Sequence, residues 1–507
     1  MMSTVTNQTS LPYKVDLYID GATRRPASGE YFDRENPSDK SSKVATVAKG
    51  SAEDVRAAVD AARLAFDTNK GQWVTDHKMR EKALFKIAEL IRANADTLAH
   101  MESLTSGKNI RTSKLGDIPR SAELFEYYAG LTTKTFGSSF YLRNGDRISI
   151  VKEPVGVVGA IVPWNFPLVI AARQAAPAMA AGCAVILKPA SFTPITAHML
   201  ASFMEKAGVP AGIFNFVTGP GSIVGGEIAK SPKVDAITFT GETATGKWIM
   251  QTASSNLKRV ALELGGKNPD IVFEEADLGA AATGAVFGAF ANNGETCAAG
   301  SRLLVQRSVY EKFVEMVKQK IELLRVGDAL LETSDVGPMI SEEHMRKVLG
   351  YIDTGKKEGA ELLTGGGRLS DGPLSKGYFV KPTLFGNVTP EMTVARDEIF
   401  GPVLTAIPFE NEAEAIRIAN DTVYGLASGV WGSQARASRV SRSLRAGTVW
   451  VNTYYAIPAE NPWGGFKQSG IGRENGTYGL EAFLETKTIY EDSSGTASKP
   501  YHKIVFP

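Results

Sequence analysis

The sequence predicts an α/β fold in which helices cover both faces of parallel sheets. From Val151 onward, short β-rich runs such as VGVVGAIVP and CAVILKP alternate with helical runs such as AARQAAPAMAA. The chain has 50 glycines, which suggests many tight turns between strands and helices. Its 43% hydrophobic and 22% charged residues are typical of a soluble globular protein. A length of 507 residues is too great for one core and predicts two or three domains.

The N-terminal part supplies separate elements. YKVDLYIDGATRR predicts a short strand, a turn at Asp20-Gly21 and a returning strand. Residues 51–54 resemble a capping box and open a helix that extends to about Phe66. The spacing from 79 to about 101 predicts one long amphipathic helix.

Further strands follow in order. IFNFVTG, AITFTG and VALEL predict strands that each end in a turn, and SRLLVQ predicts a strand before a helix from about 309 to 324. GTVWVN is typical of another buried strand. From about Tyr490 the chain is polar, and it ends in the apolar YHKIVFP.

Composition argues against several classes of protein. A net charge of +1 gives no indication of nucleic-acid binding or of an anionic membrane. Two cysteines cannot form a disulfide framework, which favours a reducing, cytoplasmic location. The first residues lack the apolar core of a signal peptide, and VGVVGAIVPWNFPLVIAA is interrupted by two prolines and an asparagine, so we interpret it as buried core. Five scattered histidines show no metal-ligand pattern, and no metal is expected.

One of the two cysteines, Cys297, lies among small residues in NNGETCAAGSR, with no histidine nearby. A buried filler thiol is one interpretation, because free cysteine is among the most buried residue types. A reactive thiolate is the other.

Three further side chains bear on the choice between these two interpretations of Cys297. Asn165, held between prolines in PWNFP, is either a turn residue or an oxyanion donor. Glu263 follows the strand VALEL, and burial would raise its pKa and suit it to act as a general base. Lys188 ends a strand in CAVILKPA and is either solvated or a ribose ligand.

Glycine-rich turns after two strands indicate a nucleotide site. Gly219, Gly221 and Gly225 follow IFNFV, although their spacing differs by one residue from the usual dinucleotide fingerprint. Gly241 and Gly246 follow AITFT. Two such turns at one sheet edge favour a dinucleotide. A thiol, a base, an oxyanion donor and a dinucleotide together fit oxidation of an aldehyde through a thioester.

PWNFP, KPA, FTGETATG, ELGGKNP, GETCAAGSR, EIFGP and PWGGFKQSGIGRE occur in the order seen in the aldehyde dehydrogenase superfamily, which the chain resembles from about Tyr13 to Tyr490. The resemblance implies a Rossmann-like cofactor domain, an α/β catalytic domain and a small β oligomerisation element. We expect the NAD(P)-binding domain at 1–133 and 155–265, the catalytic domain at 266–484, and the oligomerisation element at 134–154 and 485–507. It also implies a homodimer or homotetramer.

The resemblance implies roles for single residues. Cys297 matches the nucleophile, Glu263 matches the base that activates the deacylating water, and Asn165, with the backbone N–H of Cys297, matches the oxyanion hole. Glu263 also favours release of a free acid, since the CoA-acylating branch lacks this glutamate. Glu474 matches a glutamate often described as part of a proton relay, and Cys183 has no implied role. Residues expected to bind NAD or NADP are Ile161, Val162, Pro163, Trp164, Lys188, Ser191, Gly221, Gly225, Thr240, Gly241, Glu242, Leu264, Glu398 and Phe400.

Departures from the family pattern concern the cofactor and the relay. Ser191 stands where many NAD-preferring relatives have glutamate, and a serine would not repel a 2′-phosphate, so we expect NADP to be accepted. Glu242 stands where many relatives have serine near the pyrophosphate; it either points away or lies at a helix N-terminus. Gln174 replaces a lysine common in betaine aldehyde dehydrogenases, which weakens the relay role of Glu474.

The substrate tunnel is expected to include Arg173, Tyr455 and Ile457. Arg173 is either a ligand for a substrate carboxylate or a surface or intersubunit residue. A second arginine found in succinate-semialdehyde enzymes is absent, since Ala291 stands in its place. The substrate is thus expected to be an aromatic or medium-chain aldehyde or an acid-bearing semialdehyde. The alternatives are a cysteine-dependent esterase and a non-catalytic cofactor-binding structural protein.

Overall fold

Two large sheets form the centre of the protein in the computed structural model, which describes residues 10–493. Two three-stranded sheets lie outside them. The strands in chain order are β1 (Tyr13–Val15), β2 (Leu17–Ile19), β3 (Ala22–Arg24), β4 (Tyr31–Asn36), β5 (Asp39–Ala48), β6 (Ser138–Tyr141), β7 (Arg147–Pro154), β8 (Val157–Ile161), β9 (Ala184–Lys188), β10 (Phe214–Phe216), β11 (Ala236–Thr240), β12 (Arg259–Glu263), β13 (Pro269–Val272), β14 (Arg302–Gln306), β15 (Glu361–Thr364), β16 (Thr383–Gly386), β17 (Val403–Phe409), β18 (Ala427–Trp431), β19 (Thr448–Val451), β20 (Gly470–Ile471) and β21 (Leu484–Glu491).

Helices connect these strands and cover the large sheets. They are α1 (Ala52–Asp67), α2 (His77–Ala93), α3 (Ala95–Ser106), α4 (Ile110–Thr112), α5 (Ile118–Ala129), α6 (Pro167–Ala181), α7 (Ile195–Lys206), α8 (Gly226–Lys230), α9 (Thr243–Ala253), α10 (Leu278–Phe290), α11 (Tyr310–Glu322), α12 (Glu342–Lys357), α13 (Thr393–Arg396), α14 (Glu412–Asn420), α15 (Gln434–Ser441) and α16 (Gly476–Glu481). The predicted α/β fold is confirmed.

The eight-stranded sheet has the order β20-β12-β11-β8-β9-β10-β2-β3. Its five central strands, β12 to β10, run parallel, and each edge adds antiparallel pairing. The register pairs Ile161 with Lys188 and Thr240 with Glu263. Because parallel strands end at the same edge of a sheet, these residues are brought to one carboxyl edge.

The seven-stranded sheet has the order β15-β16-β17-β14-β13-β18-β19 and is parallel except for the β15–β16 pair. After the last strand of this sheet, the chain returns to the eight-stranded sheet, where β20 pairs with β12. Strand β20 therefore lies in the span predicted for the catalytic domain but pairs with the sheet of the cofactor half. The predicted domain boundaries remain a prediction.

The outer sheet β21-β7-β6 joins a hairpin to the last described strand. This is the pairing expected of an oligomerisation element at 134–154 and 485–507, although residues 494–507, with the apolar YHKIVFP, lie outside the described residues. Large apolar side chains of this sheet are exposed, among them Phe140, Tyr141, Ile489 and Tyr490. The assembly of subunits remains a prediction.

One helix predicted from the sequence is divided into two helices in the structure. The pattern from 79 to about 101 was expected to be continuous, but α2 ends before Asn94 and α3 begins after it. The side-chain amide of Asn94 donates a hydrogen bond to the carbonyl of Leu90 at 2.7 Å and so caps the last turn of α2. The apolar pattern runs on because both helices bury a face in the same core. The capping box at Ser51 and Asp54 is present at the start of α1.

The most apolar stretch of the sequence forms β8 and the buried helix α6, every residue of which is buried. Within residues 10–493, no helix is long and apolar enough to cross a membrane.

Candidate active site

A cavity of about 590 Å³ opens at the carboxyl edge of the eight-stranded sheet. It brings together residues that are far apart in the sequence, from the ends of β11 and β12, the PWNFP turn, the Cys297 loop and the loop before β17. The predicted site residues that line it are Pro163, Trp164, Asn165, Thr240, Gly241, Glu242, Glu263, Leu264, Cys297, Glu398 and Phe400.

Six residues predicted to bind the cofactor do not line this cavity: Ile161, Val162, Lys188, Ser191, Gly221 and Gly225. Lys188 nevertheless ends β9 at the same edge, and burial lowers its pKa to about 8. The Ser191 hydroxyl donates to the Gly219 carbonyl at 2.9 Å, which joins the loop after β9 to the glycine-rich turn after β10. A side-chain carbon at Gly221 would meet no atom within 4 Å, so the surface beside this turn is open.

Cys297 lies in the loop between α10 and β14, which is held rigidly. Asn293 donates to the carbonyls of Gly107 and Pro338, at 3.1 and 3.0 Å, and its own side-chain oxygen accepts from the Gly337 N–H at 2.7 Å. The Asn268 amide donates to the Cys297 carbonyl at 2.7 Å. The thiol is thereby placed on a fixed backbone, as a nucleophile requires.

Burial first, and then the carboxylates of Glu398 and Glu263, raise the pKa of the Cys297 thiol, which Arg173 lowers in part; together they place this pKa at about 12. The ligand-free thiol is therefore protonated at neutral pH. A proton acceptor is needed before the sulfur can attack.

Glu263 lines the same cavity. Its side chain is 3% exposed, and one carboxylate oxygen has no hydrogen-bond partner. Burial, followed by the charge of Glu474, raises its pKa well above the ordinary value, while Arg173 and Arg473 lower it. Glycine is required at Gly464, where φ is +156° and a side-chain carbon would lie 2.8 Å from a Glu263 carboxylate oxygen.

Asn165 has its amide fixed by the Cys297 loop. Its Nδ2 donates to the Glu295 carbonyl at 3.0 Å, and Asn292 donates to the carbonyls of Asn165 and Glu295, at 3.1 and 3.0 Å. An amide nitrogen has two N–H donors, so one remains for a ligand. The side chain is only 4% exposed, which suits a preorganised oxyanion donor.

His344, which sequence reasoning did not identify, also lines the cavity. Its Nε2 lies 2.6 Å from the Phe400 carbonyl. Phe400 has a φ of 58°, a left-handed conformation that is rare for such a residue. The rings of Trp164 and Phe400 meet edge to face at 5.3 Å. One Glu398 oxygen accepts from the Gly266 N–H at 3.0 Å.

A second cavity, of about 660 Å³, is lined by Tyr455, which was expected in the substrate tunnel, and by Phe166, Phe287 and Arg120. The Tyr455 hydroxyl lies 2.6 Å from the Thr296 hydroxyl, directly before Cys297. This cavity thus borders the Cys297 loop. Sequence reasoning missed Arg120, which lies on α5, because no motif surrounds it.

Two residues expected in the tunnel lie elsewhere. Arg173 lines neither large cavity; its guanidinium lies 3.7 Å from a Glu474 carboxylate oxygen, and the side chain is buried. Gln174 donates to both Thr240 and Glu474, at 3.0 and 3.2 Å, so Glu474 belongs to a closed network behind Glu263. Ile457 is buried in the core beside the seven-stranded sheet. The helical path of α6 directs Arg173 toward the Glu474 carboxylate, where its charge is paired.

The thiol allows a direct test of this electrostatic description. We expect the rate of Cys297 alkylation by iodoacetamide in cofactor-free protein to rise about tenfold per pH unit from pH 7 to 10, because the thiolate fraction does so below a raised pKa. Quenched samples analysed by mass spectrometry give the rate, and glutathione serves as the unperturbed control. A plateau below pH 8.5 would contradict the raised pKa.

Comparison with known proteins decides the family. Residues 24–489 match the aldehyde dehydrogenase family. The betaine aldehyde dehydrogenase of Bacillus subtilis is 44% identical over 484 residues, covering 95% of this chain and 98% of that protein. The chain belongs to the aldehyde dehydrogenase family. Aldehyde dehydrogenase 1 of Tanacetum cinerariifolium is 43% identical over 489 residues, which cover 95% of this chain and 97% of the relative.

Solved aldehyde dehydrogenases have the same fold. An NAD+ complex from Bacillus cereus aligns with a TM-score of 0.92 at 40% identity, covering 95% of this chain and 97% of that one. A betaine aldehyde dehydrogenase from Staphylococcus aureus, in complex with NAD+, has a TM-score of 0.92 at 39% identity and covers 95% of each chain. Membership of the family supports oxidation of an aldehyde with NAD or NADP, and the predicted family and fold are confirmed.

Proposed function

We propose that this aldehyde dehydrogenase converts an aldehyde to its free carboxylic acid through a thioester on Cys297. The observation that carries the proposal is the meeting of Cys297, Asn165 and Glu263 in one cavity at the carboxyl edge of the sheet. A buried filler cysteine needs neither of the other two side chains.

Cys297 and Asn165 carry the first step. The sulfur releases its proton to solvent water and forms a bond to the aldehyde carbon, and the electron pair of the carbonyl π bond moves to the oxygen, which becomes negatively charged. The free N–H of Asn165 and the backbone N–H of Cys297 donate to that oxygen. NAD or NADP, when bound, would supply the acceptor for a hydride from the same carbon, and loss of that hydride would leave a thioester on Cys297.

Glu263 carries the second step. Burial raises its pKa well above the ordinary value, so its carboxylate is a stronger base than a solvated glutamate and can take a proton from water as the water attacks the thioester. The C–S bond breaks, the acid leaves, and the sulfur recovers a proton. This role in hydrolysis remains part of the proposal.

The residues present fit a dinucleotide. Within residues 10–493, the Lys188 ammonium makes no salt bridge or hydrogen bond, and Glu398 keeps one carboxylate oxygen free of hydrogen bonds. Lys188 would hold the adenosine ribose, Glu398 the nicotinamide ribose, and the glycine turns with the adjoining helix starts would hold the pyrophosphate. Glu242 directly precedes α9 and makes no capping hydrogen bond there. Among the described residues there is no cluster suited to a metal.

Ser191 gives a prediction about the cofactor. We expect both NAD and NADP to be used, and we expect Ser191→Glu to lower kcat/KM for NADP about 10- to 100-fold relative to NAD, because a carboxylate repels the 2′-phosphate. Ser191→Ala is the matched control, since it removes the hydroxyl without adding charge. Complete rejection of NADP by the natural protein would contradict the expectation.

The test of the proposed function is formation of reduced nicotinamide with the purified protein. NAD and NADP are supplied separately with succinate semialdehyde, betaine aldehyde, benzaldehyde or hexanal, and the acid product is identified by mass spectrometry. Turnover with acid formation is expected. Absence of cofactor reduction with all four aldehydes would overturn the proposal. A homodimer or homotetramer and a cytoplasmic location also remain part of it.

A further inference from the structure

The second cavity combines an apolar wall with unpaired positive charge. Phe166, Phe287, Phe290 and Tyr455 supply aromatic surface. Its two carboxylates are already paired: Asp117 with the buried Lys108, and Asp335 with Arg111 and Arg325.

Two of its cations have no such partner. Within residues 10–493, neither Arg120 nor Lys320 makes a hydrogen bond or a salt bridge within 4.0 Å, although both line the cavity. Glu123, one turn further along α5, is exposed and does not line the cavity. Burial and the charge of Arg173 lower the pKa of Arg120, and Asp117 and Glu123 offset this only from a distance. A partly buried guanidinium with no carboxylate in contact is costly unless a ligand supplies one.

Arg120 and Cys297 both lie within electrostatic range of Tyr455. The pKa of Tyr455 is raised by burial and by Cys297, and it is lowered by Arg120, so the phenol lies within electrostatic range of both groups. The same Tyr455 hydroxyl contacts Thr296, the neighbour of Cys297.

Resting on the proposed function, we propose that Arg120 determines substrate specificity by binding a carboxylate at the far end of the aldehyde from the carbonyl. The preferred substrates are then aldehyde acids with an apolar or aromatic spacer. The planar guanidinium can donate two parallel hydrogen bonds to a carboxylate. A cationic substrate such as betaine aldehyde is disfavoured, although the sequence is 44% identical to the betaine aldehyde dehydrogenase of Bacillus subtilis.

The test compares acids with neutral partners of similar shape. The pairs are 4-formylbenzoate with 4-methylbenzaldehyde, and succinate semialdehyde with butanal, so that two spacer lengths are covered. We expect a higher kcat/KM for the acid in at least one pair. Arg120→Met should lower the acid-to-neutral ratio about 10- to 100-fold, and Arg120→Lys should lower it less, because charge is kept but the two-pronged geometry is lost.

Lys320→Met distinguishes direct contact between Arg120 and the substrate carboxylate from a general attraction by the positive charges of the cavity. If Arg120 binds the carboxylate directly, Lys320→Met changes the ratio less than Arg120→Met, and its effect falls as salt is added, as for exposed charges. Thermal unfolding and cofactor binding verify that each variant is folded.

An acid-to-neutral ratio that Arg120→Met and Arg120→Lys leave within twofold would overturn the inference, as would a natural preference for the neutral member of both pairs. Turnover of neutral aldehydes in such a case leaves the proposed function standing. Absence of turnover with every aldehyde overturns both.

Discussion

Replacement of Cys297 by serine is expected to lower kcat for aldehyde oxidation by about 10⁴-fold or more, because the reaction loses the sulfur that forms the thioester. Serine keeps the size of the side chain, and its hydroxyl is a far weaker acid and nucleophile. The rate is measured as reduced-nicotinamide formation, and cofactor binding to the variant is measured separately by fluorescence quenching.

Cys183→Ser is the matched control. Cys183 is fully buried, and its thiol donates to the Phe483 carbonyl at 3.6 Å, a bond that a serine hydroxyl can replace. We expect this variant to keep activity within about threefold, because it lies outside both cavities. Activity above one tenth of the natural level in Cys297→Ser would contradict the nucleophile role.

Replacement of Glu263 by glutamine is expected to slow steady-state turnover by about 10² to 10⁴-fold, because the water that attacks the thioester loses its base. The first turnover is still expected to proceed, so a burst of about one equivalent of reduced nicotinamide per active subunit should precede the slow phase. Stopped-flow absorbance resolves the two phases.

Two further measurements test the role of Glu263 in hydrolysis of the thioester. Hydroxylamine, a strong nucleophile, should accelerate the slow phase of Glu263→Gln by releasing the acyl group without a base. In the natural protein, kcat should fall as pH drops through the raised pKa of Glu263, since protonation removes the base, and the variant should lose this dependence. A slow first turnover without a burst would instead place the action of Glu263 on the Cys297 thiol.

The sequence by itself determined the fold class and the family, and it predicted a catalytic trio of Cys297, Asn165 and Glu263, which the structure brings into one cavity. These predictions depended on short stretches in which local chemistry decides structure: strands that end in glycine turns, and prolines on both sides of an amide. The ends of parallel strands must meet at one edge of a sheet, so the residues that follow β11 and β12 could be placed together without coordinates.

Tertiary structure alone decided where charged side chains point. Arg173 was expected in the tunnel, but Glu474, 301 positions later in the sequence, pairs with it and draws it into a closed network. Arg120 lines the second cavity because α5 borders the space left beside α10. Whether a helical arginine meets a carboxylate, water or a substrate depends on which distant segment packs against it. Local sequence carries no record of that neighbour, and for this reason the sequence pattern predicted the chemistry proposed for the first cavity but not the cation that lines the second.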